Sequence, residues 1–200
     1  MAEAERLGRR LGESVVHSLR LLADSDFRGD IVLASGQRKV ELVANKFPPV
    51  GEAQAALRQA LQRYDELKRA GAPHGAVRTA ECAVFGCEES LTLAQAQASG
   101  ELAQWQEQYR FAEVQAFRIG DLFLAALPGE QFVEYGLEIK SRAAGRTFVI
   151  SLANGELQGY IVTPEASISG GYEASFALFR PESGAILVNA SLNLLRELSL

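Results

Sequence analysis

Two short stretches place oxygen donors where chemistry is often done. In the first, Pro128-Gly129-Glu130 follows the apolar run Asp121–Ala126, so a carboxylate stands where a buried strand stops and a helix begins. In the second, "RTFVIS" runs into a loop carrying Asn154, Gly155, Glu156, Gly159 and Tyr160. Where helices cross over a sheet, ligands gather at the ends of its strands. If both strands lie in one sheet and point the same way, a carboxylate and a phenol face one site. Such a pair suits a hard or borderline cation, because glutamate is an ordinary zinc ligand. A phenolate ligand is rarer and needs the metal to lower its pKa well below ~10. The plain alternative is a Glu130 in a first helical turn, favoured there by ~0.3–1 kcal/mol through the helix dipole. Tyr160 would then be an interior aromatic whose hydroxyl finds a backbone partner. Two donors fall short of a catalytic zinc, which takes three protein ligands and a water.

The remaining reactive side chains are sparse. Cys82 and Cys87 form a single C-x4-C, and the two histidines are His17 and His74. One cysteine pair makes neither a disulfide framework nor, without further ligands, a zinc knuckle. A cysteine nucleophile needs a neighbouring base, and only His74 precedes Cys82 closely enough to be considered.

The chain as a whole has 200 residues, 48% hydrophobic and 22% charged, with a net charge of −5. That is the composition of a globular domain with a sizeable core. Its mild acidity argues against nucleic acid, which calls for a basic patch. No apolar run approaches the ~18 residues of a membrane span. The opening "MAEAERLGRR" lacks an apolar signal segment, so these residues alone read as cytoplasmic, and the compartment of a longer protein stays open.

The elements that must position these groups follow from periodicity. Leu7, Leu11, Val15, Leu19 and Leu22 give residues 3–23 an amphipathic helical stripe. "IVLAS" and "KVELVA" predict two strands around a polar turn, "GQRK". After Pro48-Pro49 a helix is expected over Glu52–Ala70, stopped by Gly71 and Pro73. "AVRTAECAVFG" reads as a strand, and the Gln- and Ala-rich stretch after it as helix with a break near Ser99-Gly100. Gly120-Asp121 marks a hairpin, a helix follows over Gln131–Ala143, "SFALF" predicts a last strand, and "GAILVNASLNLLREL" an amphipathic helix. Crossovers and hairpins together give a mixed α+β fold, with a mixed sheet flanked by helices, in one domain over residues 1–200.

"VQAFRIGDLFLAALPGEQF" and the downstream "VISLANGELQGYIVTPEASISGGYEA" resemble the neutral/alkaline non-lysosomal ceramidase family and its shorter bacterial relatives. These are zinc-dependent amidases that cleave ceramide into sphingosine and a fatty acid. The likeness rests on Pro128-Gly129-Glu130, Asn154, Tyr160, Thr163 and Tyr172-Glu173, which stand here in the family's order, and is most specific over residues 112–198. It implies that Glu130 and Tyr160 are zinc ligands. "AERLGRRLGESV" looks like the helix that follows the family's catalytic segment. Two further histidine ligands and the serine nucleophile lie upstream in the family and have no counterpart here, so no catalytic residue is assigned on this chain. The resemblance therefore implies the carboxy-terminal half of a larger catalytic domain. Zn2+ is expected in the complete site, and a ceramide-like lipid amide as substrate. The isolated chain is expected to be inactive, completed by an amino-terminal half or covered by self-association. The alternative is a non-catalytic interaction protein that keeps the scaffold.

Overall fold

The computed structural model describes residues 1–154 and 159–200. It divides into two compact units, Met1–Val32 and Leu33–Leu200. In the first unit, helix α1 (Ala2–Arg20) forms as the apolar spacing predicts, and none of its residues is buried. Arg6–Glu3 and Arg9–Glu5 pairs run along its polar side. A short 3-10 turn follows at Asp24–Asp26, where the Asp26 carboxylate accepts from the Ala23 N–H at 2.7 Å.

The second unit is built on a four-stranded sheet. Its elements run β1 (Leu33–Glu41), α2 (Val50–Arg69), α3 (His74–Ser99), α4 (Glu101–Gln108), β2 (Phe111–Ile119), β3 (Leu122–Ala126), β4 (Glu130–Gln131), α5 (Val133–Arg142), β5 (Arg146–Ile150), β6 (Tyr160–Ile161), α6 (Pro164–Ser169), α7 (Tyr172–Ser175) and α8 (Glu182–Glu197). The strand order is β1-β2-β3-β5, with a separate β4-β6 pair. The first two pairings are antiparallel and β3-β5 is parallel, so the sheet is mixed with flanking helices, as expected. The Gly120-Asp121 hairpin joins β2 to β3, with Gly120 at φ 61°.

One face of the sheet is the core. Ala112, Val114 and Ala116 alternate inward from β2 and are fully buried, beside Phe123 and Ala125 of β3. These small side chains let α8 lie close, and Leu187, Val188, Leu194 and Leu195 fill the space between. Burying each leucine or valine is worth about 1.5–3 kcal/mol. The other face carries the register rows Leu33, Ile119, Leu122 and then Phe117, Leu124, Phe148. Leu33, Phe148 and Ile150 stand largely exposed there.

Four expectations are corrected. "GQRK" is not a turn: β1 runs straight through it, pairing Gly36 with Ala116 and Lys39 with Glu113. On the sheet Lys39 stands opposite Glu113 in the ladder, and Arg38 pairs with Glu197 at 2.8 Å. Gly36 is there for space, since a Cβ would lie 3.2 Å from a Leu194 methyl. "AVRTAECAVFG" is helix, the first half of the 26-residue α3. Val77, Thr79 and Val84 imitate a strand, but Pro73 at the N-cap starts a helix that packs along α2 and ends only at Gly100, φ 87°. "SFALF" contributes a single antiparallel bridge, Ala44 to Phe179, rather than a strand. Finally, the helix after Glu130 starts two residues later than expected, with Phe132 as its N-cap.

That last shift moves Glu130 out of any helical turn. Its N–H donates to the Gly159 carbonyl at 2.9 Å, and the Phe132 N–H to Ile161 at 3.2 Å. Strand pairing has taken the backbone groups that a helix start would leave free.

A carboxylate and a phenol paired across two short strands

Two loops at the carboxy ends of β3 and β5 build the candidate site. They are sewn together by backbone bonds: Leu127 N–H to Ile150 O at 2.9 Å, Ala153 N–H to Leu127 O at 3.0 Å, and Leu152 N–H to Gly129 O at 2.9 Å. Closing the loops this tightly forces unusual backbone. Gly129 takes φ 73° at no steric cost, but Leu152 and Asn154 take φ 55° and 67°. The left-handed region costs an ordinary residue about 1–2 kcal/mol, less for asparagine. Asn154 offsets it with its side chain, whose amide donates to Ala126 O at 2.8 Å and Glu113 O at 3.0 Å. This asparagine locks the β5 loop onto both β2 and β3.

Glu130 and Tyr160 are direct partners in the parallel β4-β6 ladder, with Gln131 opposite Ile161. Side chains alternate across a strand, so Glu130 and Tyr160 share one face. Ile161 goes to the other, into the core. The two residues that the sequence singled out are thus brought together. The Tyr160 phenol is held above its usual pKa, first by burial and then by the Glu130 carboxylate, with Tyr172 and Glu173 adding to it. Tyr160 is accordingly a neutral hydroxyl at pH 7. Among the described residues no ion pair involves Glu130 or Glu173.

Aromatic rings line one side. Tyr160 meets Tyr172 edge to face at 6.2 Å and Phe176 at 5.6 Å, and Tyr172 meets Phe176 at 4.9 Å. Tyr172 opens α7 behind Gly170-Gly171, both at positive φ. On its far side, α3 approaches so closely that a Cβ on Gly86 would lie 3.3 Å from the Tyr172 Cα. Thr163 caps α6: its hydroxyl accepts from the Ala166 N–H at 3.1 Å, ahead of Pro164. Thr163→Ala should therefore cost about 1 kcal/mol in a urea unfolding experiment, and Thr163→Ser much less. Equal losses in the two variants would show that the cap hydroxyl is not what the site uses.

Other candidates fall away from this place. Gly155 and Glu156 lie outside the described residues. Cys82 and Cys87 are free thiols on α3, and burial pushes the Cys87 thiol up rather than activating it. His74 begins the same helix, about 12 Å along the axis from Cys82 at 1.5 Å per residue. That is too far for a nucleophile and its base. His17 is on α1.

Three residues that the sequence did not flag shape the site. The Tyr135 hydroxyl donates to Val162 O at 2.9 Å and lies 3.2 Å from Pro181 O. Gly184 of α8 sits under its ring: a Cβ there would come within 2.0 Å of the ring. Gln131 donates to Pro128 O at 2.7 Å while its Oε1 is buried without a partner among the described residues.

The donor chemistry can be compared with zinc directly. Among the described residues no three His, Cys, Asp or Glu side chains come together to hold a metal. Glu130 and Tyr160 supply one ready anionic oxygen and one phenol that resists ionisation. Among the described residues these are two oxygen donors, whereas a catalytic zinc takes three protein ligands and a water.

No family model matches the chain, and no curated protein matches it. Solved structures resemble part of it, ceramidases among them. The crystal structure of neutral ceramidase from Pseudomonas aeruginosa is similar over 44% of this chain and 15% of that one, at 25% identity and a TM-score of 0.40. A ceramidase complexed with C2 is similar over 45% and 15%, at 21% identity and a TM-score of 0.41. The chain thus spans a small part of the length of these structures, and overlaps of this quality carry no weight on function. Among the described residues no helix is long and apolar enough to cross a membrane.

Proposed function

We propose that this chain supplies one wall, carrying Glu130 and Tyr160, of a composite metal-dependent hydrolase site for the amide bond of a ceramide-like lipid. The observation that carries this reading is the ladder pairing of Glu130 with Tyr160 on one face of β4-β6. The motif order Pro128-Gly129-Glu130, Asn154, Tyr160, Thr163, Tyr172-Glu173 supports it. The missing ligands and the nucleophile come from polypeptide outside these 200 residues. On this reading the isolated chain is inactive until that polypeptide completes the site.

Zinc titration by calorimetry tests this without an activity assay. Weak binding is expected, lost by tenfold or more in Glu130→Ala and reduced in Tyr160→Phe. Zinc binding that survives the double variant, or robust ceramide hydrolysis by these 200 residues, would sink the proposal. A second reading, a non-catalytic interaction protein on the same scaffold, draws support from the apolar outer face of the sheet, where Leu33 and Phe148 are 70% and 52% exposed. A protein that takes no zinc at all would favour it.

A further inference from the structure

The β4-β6 ladder is only two residues long on each side. Backbone bonds from the Glu130 and Phe132 N–H groups to Gly159 and Ile161 flank it. A parallel pair this short has little stability of its own. It needs a support from elsewhere, and one residue connects both strands. Tyr135 stands in the first turn of α5, just after β4. Its hydroxyl reaches the carbonyl of Val162, the residue directly after β6.

The bond is well placed to hold. A phenol has one hydrogen to give, and the shorter contact, 2.9 Å to Val162 O, takes it in preference to Pro181 O at 3.2 Å. Tyr135 is 7% exposed, so water does not compete for the bond, and burial pushes its pKa up to about 12. The ring itself is fixed by the gap that Gly184 leaves on α8. The support thus runs from the long, deeply buried α8, through the Tyr135 ring, to the strand pair.

We propose that Tyr135 is the positioning residue of the site, holding Glu130 and Tyr160 in register by tying the helix that follows β4 to the residue that follows β6. Its hydroxyl bonds to Val162 O rather than to Glu130, so it acts through the two strands. Its importance for metal binding rests on the composite-site proposal above; its hold on the strand pair does not.

Amide hydrogen exchange by NMR in wild-type and Tyr135→Phe protein separates the two. The variant removes only the hydroxyl. Exchange at the Glu130 and Phe132 amides should quicken tenfold or more, while the amides of β2 and β3 change less than twofold. A purely structural role would speed both sets alike, and that result would overturn the proposal, as would unchanged exchange at Glu130 and Phe132. If Tyr135→Phe fails to fold, the wild-type protein decides: the Tyr135 hydroxyl proton should exchange slowly enough to be seen, and a rapidly exchanging one refutes the tie. Zinc titrated onto both proteins then gives a further reading, with affinity expected to fall fivefold or more in the variant. Wild-type protein that takes no zinc would remove the metal proposal and leave the exchange data to decide the positioning role.

Discussion

Gly184→Ala should be a severely damaging single-methyl substitution, costing about 3 kcal/mol or more. The added Cβ would lie 2.0 Å from Tyr135 Cζ, 2.3 Å from its Oη and 2.5 Å from Cε1. Those are far inside van der Waals contact, and neither side can yield cheaply. The Tyr135 ring is rigid, buried and anchored by its hydroxyl to Val162 O, while α8 is fixed by nine buried residues. Overpacking of a core typically costs 1–3 kcal/mol, and more where the clash is with an immobile ring. Relief requires the ring to leave, which surrenders its burial and its hydrogen bond together. In a helix alone, alanine would stabilise relative to glycine by roughly 1 kcal/mol, so the sign itself reports the clash. A double-mutant cycle in urea checks it: in a Tyr135→Ala background the Gly184→Ala cost should nearly vanish. Additive losses, or a single-variant cost under about 1 kcal/mol, would mean that ring and helix are not in contact as described.

Asn154→Ala comes next, at about 2–4 kcal/mol. Two effects add. The side-chain amide gives two hydrogen bonds, to Ala126 O and Glu113 O, each worth roughly 0.5–1.5 kcal/mol net and more where the carbonyl is left dry. Alanine at φ 67° meets the left-handed penalty of about 1–2 kcal/mol. Asn154→Gly removes the bonds but tolerates the backbone, so it should recover about 1 kcal/mol of the loss. Asn154→Asp offers no donor to either carbonyl and should fare no better than alanine. Urea unfolding of the three variants orders them; alanine and glycine costing the same would show that the backbone there is unstrained.

These two residues show how unevenly the molecule could be read in advance. Glu130, Asn154 and Tyr160 were legible because their neighbours announce strand ends: an apolar run, then Pro-Gly or Asn-Gly. The β2-β3 hairpin was equally plain from Gly120-Asp121. Tyr135 and Gly184 gave no such signal. Their meaning lies in one contact between α5 and α8, 49 residues apart, and spacing along the chain does not encode it. The strand errors have a similar cause. "GQRK" reads as a polar turn, but Lys39 stands opposite Glu113 in the ladder and Arg38 pairs with Glu197, 159 residues away. In α3 the β-branched residues pointed one way locally and the packing of two long helices decided the other. The helix after Glu130 starts two residues later than its spacing predicts for the same reason, since the Glu130 N–H has a strand partner that no local pattern reveals.

The order of the strands has one more consequence. β1 and β2 lie side by side in register over nine residues, yet the chain between them makes a long detour through α2, α3 and α4. The sheet needs only that the detour leave and return at neighbouring points, and lengthening such a loop is penalised slowly, by about 0.6 kcal/mol per doubling. But this detour is what presses Gly86 against Tyr172 and Ser175, behind the rings beside Tyr160. The sheet and its paired Glu130 and Tyr160 are therefore the conservative part of the design, and the helical detour is the adjustable part. A lineage could lengthen, shorten or reshape it, and so change what fits against those rings, without disturbing the register that sets the donors.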